Sequence, residues 1–261
     1  MRRIAILFII ICFCMAILTG CSNNSKYTME DKITEEIKYM ENKMIRIVNN
    51  FTLGNYDFNN NDINSVNSSN SNITDENNQN DSIDINENIV NNTSKLKFDE
   101  ILEDTRILEE ASNRIMVDLA IKNVDNEEIA RLSSGINNMI TAISSQDEMI
   151  YLVELNNVFS LFSNYEAKIS NDSDELFERR MKYFTISSYI SYLVGDKELA
   201  KTQVDTLEKE YLEKQKGPKY AEDHKYNLNK IYLLIQEFKK AIEVDSEDLV
   251  REKYLLLIDE I

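Results

Sequence analysis

The sequence predicts an all-α protein: an antiparallel helical bundle or stacked helical hairpins of about seven helices, with an N-terminal amphipathic helix on a disordered linker. Three observations carry that expectation. Five glycines and one proline in 261 residues leave few breakers of helix. Large apolar residues recur three and four apart over most of the chain, the period of one helix face, and no stretch alternates as a strand would. Short clusters of Asn, Asp, Ser and Gly separate these runs where turns and caps belong.

The chain opens differently. Arg2 and Arg3 precede an apolar run from Ile4 to Leu18, followed by Thr19, Gly20 and Cys21. A basic start, an apolar core and a small-residue exit describe a secretory signal peptide, and the run falls short of the roughly 20 residues that span a bilayer. Leu18-Thr19-Gly20-Cys21 resembles the lipobox of bacterial lipoproteins. That resemblance implies an S-diacylglycerol on Cys21, cleavage between Gly20 and Cys21, and N-palmitoylation of the new amino terminus. Residues 1–20 are then the signal peptide and 21–28 a lipidated tether on the extracytoplasmic face of the cell membrane. Two or more acyl chains hold a protein stably, at about 0.8 kcal/mol per buried methylene, where one chain would not. Cys12 and Cys14 leave with the signal peptide and the Cys21 sulfur is blocked, so no disulfide, thiol catalyst or cysteine metal site is expected.

From Met29 to Phe51, Ile33, Ile37, Met40, Met44, Ile47 and Phe51 follow at alternating steps of four and three, a heptad seam. Thr28 and Asp31 stand where a capping box would start it. That stripe should not stay wet, and docking against the chain's own helical region is the expected default. Residues 52–93 are rich in Asn, Ser and Asp with scattered apolar residues. Such composition buries too little to offset chain entropy and predicts a disordered linker.

The helical domain is expected over 94–261. Its first helix carries Phe98, Leu108 and Leu119 and breaks at Asn123–Asn126; Asp125 with Glu128 starts the next, in which Gly135 is a weak spot. Ser145-Gln146-Asp147-Glu148 reads as a capping box for a third, broadly apolar helix. Asn171-Asp172-Ser173 precedes an aromatic-rich fourth, and Gly195-Asp196 a fifth through Leu199, Val204, Leu207 and Tyr211. Gly217-Pro218 stops that helix, a sixth carries Ile231 to Ile242, and Asp245-Ser246 caps the last.

A net charge of −17, two units more negative once Arg2 and Arg3 are removed, argues against nucleic acid and against lying on an anionic leaflet. His224, the sole histidine, has no Glu-x-x-His or His-x-x-x-His spacing and reads as a polar edge of the core. No triad, elbow motif or glycine-rich phosphate loop is present. The expectation is therefore no enzyme and no catalytic, cofactor-binding or metal residues. It is a non-enzymatic module for protein or peptide interaction at the cell envelope, held to the membrane by its lipid, with its oligomeric state open. The alternative is a small-molecule or metal binder with a pocket between helices near Tyr183–Tyr192.

Two resemblances add to this. Gly195-Asp196-Lys197-Glu198-Leu199-Ala200, after Tyr189 and Leu193, resembles the middle of a tetratricopeptide repeat over one hairpin, and no 34-residue period recurs around it. The layout of lipobox, seam helix, polar linker and a helical region with Asn229-Lys230-Ile231-Tyr232-Leu233-Leu234 near its end resembles clostridial all-helical lipoproteins of no assigned function. That group implies a location and a fold class, and no activity.

Overall fold

The computed structural model describes residues 28–67, 82–170, 172–217 and 225–261, with side chains described outside 53–97 and 225–228. These residues form eight helices and no strand: α1 Met29–Asn67, α2 Ser82–Ile121, α3 Asn126–Ser144, α4 Glu148–Ile169, α5 Ser173–Leu193, α6 Lys197–Gln215, α7 Lys225–Val244 and α8 Glu247–Glu260. The expected all-α class is what the chain adopts. Cys21, Pro218 and His224 lie outside the described residues. So does 68–81, the middle of the expected linker; helical backbone enters that linker from both sides, since α1 runs on to Asn67 and α2 begins at Ser82.

The turns follow one recipe. Asn123, Gln146 and Gly195 sit in the left-handed region, with φ of 59°, 57° and 86°. The next amide reaches back to the helix it leaves: Val124 N to Leu119 O at 3.0 Å, Asp147 N to Ala142 O at 2.9 Å and Asp196 N to Ser191 O at 2.8 Å. These are Schellman turns. An aspartate then caps the following helix, Asp125 accepting from Glu127 N, Asp147 from Ile150 N and Asp196 from Leu199 N. Only one of these left-handed positions is a glycine, which is how the chain turns so often with so few. The capping box expected at Ser145 is corrected here: the Schellman turn uses Ser145 and Gln146, so Asp147 holds the cap and the Ser145 hydroxyl donates to Thr141 O instead. Thr28 and Asp31 do make a reciprocal box, at 2.8 and 3.1 Å.

Successive helices pack as antiparallel neighbours, and two further contacts close the pattern, α1 with α4 and α5 with α8. The result is two up-and-down four-helix rings, α1–α4 and α5–α8, joined through α4 and α5. The seam of α1 is docked inside the first ring: Ile33, Ile37, Met40, Met44 and Ile47 are fully buried and Phe51 nearly so. Burial of these six side chains contributes on the order of 10 kcal/mol as an upper figure. Ion pairs fix its register against α2. Glu30 pairs with Lys122, Lys32 with Asp118 at 2.6 Å, Glu36 with Arg114 at 2.9 Å, and Arg46 with Asp104, each step forward on α1 matched by a step back on α2.

The joint between the rings explains two surprises. Helix α5 is buried on every side from Thr185 to Tyr192, because α4, α6 and α8 surround it and α1 approaches through Glu41 and Arg179. Its serines are small enough to permit that approach; Ser188 donates to Ala200 O at 2.7 Å, and Ser187 accepts from Asn156 across the joint at 3.1 Å. Leu199, expected in the α6 seam, is instead 40% exposed, and Ala200 takes the buried place. Gly135 is no weak spot either: a Cβ there would stand 2.5 Å from Val158 Cγ2, so glycine is what lets α3 meet α4.

Candidate functional site

The three turns that precede α4, α6 and α8 lie at one end of those helices, at the level of Phe51 of α1. Between them, and between the two rings, opens a cavity of about 520 Å³. Its deep side is Phe51, Leu152 and Tyr192, all buried, with Leu193 and Val194 half-buried beside them. Met149, Glu148, Lys197, Asp245 and Glu247 stand at the mouth. The volume falls in the range of sites that hold small molecules or several side chains.

Asp245 organises the mouth. It occupies the left-handed region at φ 60°, and its carboxylate accepts from Lys197 Nζ at 2.5 Å and from Tyr192 OH at 3.1 Å. The Lys197 ammonium, then the tyrosine hydroxyl, hold this carboxyl below its ordinary pKa, while burial first and then Asp245 push the Tyr192 phenol up to about 12. The expected cap at Asp245-Ser246 is thereby changed: Ser246 is the N-cap residue of α8 without a side-chain bond, and Asp245 serves the cavity.

Exposed apolar side chains collect around the same opening. Met149, Ile150, Val153, Leu199, Val244 and Leu249 are all at least 40% exposed, and each lines the cavity or lies within one helical turn of a residue that does. The rest of the aromatic run is not in this site. Tyr189 stacks on Tyr254 in the second ring, centroids 4.0 Å apart, and Tyr183 and Phe184 pack partly buried between the helices. Of the stretch expected to line a pocket, Tyr192 alone lines this cavity.

A second cluster lies in the joint. Arg179 of α5 reaches Glu41 of α1 at 2.6 Å and Glu166 of α4 at 3.3 Å, and all three side chains are 5% exposed or less. Burial pushes the Glu41 carboxyl up to about 7 against the opposing pull of Arg179 and Lys182. Glu166 is raised for the same reason, with Arg179 opposing and Glu175 adding. Two carboxylates and one guanidinium carry an excess negative charge in the dry interior unless one acid holds a proton. The crevice beside them, bordered by Lys38, Glu175, Glu178 and Lys182, has about 20 Å³, room for about one water. It admits no larger ligand, so this cluster ties the rings together and the cavity is the candidate site.

Among the described residues no group of three or more His, Cys, Asp or Glu side chains is placed to hold a metal ion, and no helix is long and apolar enough to cross a membrane. Sequence reasoning missed the cavity because its walls come from five helices. The signal that could have marked it is the apolar Met149-Ile150 pair in the first turn after the capping Asp147, where a solvated turn is usual. No family model matches this chain, and neither a curated protein nor a solved structure is similar to it.

Proposed function

We propose that this chain is a lipid-anchored, extracytoplasmic, non-enzymatic module that binds a protein or peptide through the end of the bundle bearing the cavity. The observation that carries the binding part is the collar of exposed apolar side chains around an apolar-floored opening. Scattered surface apolar residues are ordinary, but their concentration around a cavity marks an interaction site. Thr28, where the expected tether joins the bundle, lies at the other end of α1's buried seam, about 35 Å from Phe51 at 1.5 Å per residue. A tether at that end points the cavity away from the lipid.

The anchoring part rests on Leu18–Cys21. Cys21→Ser is expected to abolish incorporation of labelled palmitate and to leave an uncleaved or soluble product in membrane fractionation. Equal labelling of wild type and variant would defeat it. The volume of the cavity supports a second reading, a small molecule held between the rings. Native mass spectrometry of the purified chain separates the two, since a retained small molecule adds a fixed mass.

A further inference from the structure

We propose that the joint between the two rings is a proton-dependent latch, in which Arg179 stays clamped to Glu41 and Glu166 while the two acids share one proton, and lets go when they hold none. The latch depends on the joint alone and operates whatever the cavity end of the bundle binds. Glu41 of α1, Glu166 of α4 and Arg179 of α5 each have side chains 5% exposed or less, so two acids face one guanidinium in the dry interior. Fully ionised, the cluster carries one excess negative charge, and a single proton held by the pair removes it.

The surrounding charges do not make up the difference. Lys38 of α1 and Glu175, Glu178 and Lys182 of α5 border the crevice, two cations against two acids, with Lys182 paired to Glu178 at 2.6 Å. On the other helices packed around the joint the acids have their own partners. Asp104 of α2 is taken up by Lys43 and Arg46, Glu128 of α3 by Lys168 of α4, Glu210 of α6 by Arg180, and Asp248 of α8 by Arg251. Burial accordingly pushes the Glu41 carboxyl up to about 7 and raises Glu166 as well, with Arg179 opposing in both.

Space turns this charge balance into a mechanical one. The crevice has about 20 Å³, room for about one water, which is too little to hydrate a freed carboxylate. An unpaired buried charge is costly, so loss of the proton favours a wider joint. The first turns of α5 are bound to α6, through Asp174 and Lys214 at 2.7 Å, the Ser173 carbonyl and Lys214 at 3.1 Å, and Phe177 against Tyr211. They move with the second ring, and the parting line runs between Arg179 and the first ring. Further along α5 the buried stretch from Thr185 to Tyr192, with Ser187 bonded to Asn156 across the joint, keeps the rings together. Opening is therefore local to the corner where α4 meets α5.

The sign follows from linkage. An opening that releases a proton becomes easier as pH rises from the ordinary carboxyl value of 4.5 to the folded value of about 7, and levels off above it. The test is guanidinium hydrogen exchange in the full chain, labelled with nitrogen-15 arginine and held in a neutral detergent. The Arg179 signal is assigned from its loss in Arg179→Lys, and the exposed neighbour Arg180 is the internal reference. Relative to Arg180, exchange at Arg179 Nε is expected to quicken roughly tenfold per pH unit between pH 5 and 7, the slope of one released proton. Glu41→Gln and Glu166→Gln each leave one acid for one guanidinium, and at least one of them should flatten that slope. Low urea should leave the Arg179 rate unchanged, as a local opening requires. A wild-type ratio that stays constant over this range, or a slope retained in both variants, overturns the latch. So does an Arg179 rate that rises with urea in step with the backbone amide of Tyr254, because the proton would then act on global unfolding.

Discussion

At the scale of single residues the decisive side chain is Glu41. It lies on the expected seam helix between two core methionines, Met40 and Met44, and its carboxylate reaches Arg179 in the joint. An acid whose folded pKa is raised binds its proton more tightly folded than unfolded. Its contribution to stability is therefore complete below its ordinary value of 4.5 and is lost as pH rises through about 7. The shift corresponds to on the order of 3 kcal/mol, and Glu166 acts in the same direction. Urea melts between pH 4.5 and 8 should show wild-type stability falling across this window. Glu41→Gln, which cannot ionise, should flatten most of that slope and equal or exceed wild type at pH 8. Parallel profiles for the two proteins would mean that Glu41 is not the titrating group.

At the scale of elements, Gly135 shows how a helix can be read correctly and its key residue misread. The period through Leu132, Ile136, Met139 and Ile143 marks α3, and all four are buried. By propensity alone Gly135→Ala gains up to about 1 kcal/mol. The contact with Val158 reverses the sign, since forcing a methyl into a packed interface costs about 1–3 kcal/mol. A net loss of roughly 1 kcal/mol is expected, and a gain instead when the same change is made in a Val158→Ala background. Thermal melts of the four proteins decide it; a loss in both backgrounds would mean the clash lies elsewhere. The same distinction separates what was legible in the sequence from what was not. Local signals were sufficient for the helices, because Asp125, Asp147, Asp172 and Asp196 each announce a start within a few residues. The burial of Ser187, Ser188 and Ser191, the closing contact of α5 with α8, and the cavity depend on partners many residues away, and no local pattern encodes them.

At the scale of the whole molecule, two closed rings imply two levels of protection. Ile37→Asp/Met44→Asp places charges where α1 is fully buried, a cost that exceeds what its docking returns. Hydrogen exchange of the full chain is then expected to quicken across α1–α4 and to stay slow over the core of α5–α8, where Tyr189, Tyr211 and Tyr254 are buried. Uniform acceleration through all eight helices would show that the rings fold as one unit. The ladder from Glu30–Lys122 to Arg46–Asp104 carries a mechanical meaning as well. If the chain is anchored through Cys21 as proposed, tension carried by residues 21–27 enters at Thr28, at the end of the α1 seam opposite the cavity. A pull along the α1 axis away from the cavity tries to slide α1 past α2 and α4, so every rung and every seam residue bears load together, as in a lap joint under shear. A sideways pull instead loads Glu30–Lys122 first and peels the rungs in turn. On the proposed tether, a bundle standing upright would thus be held in its stronger direction.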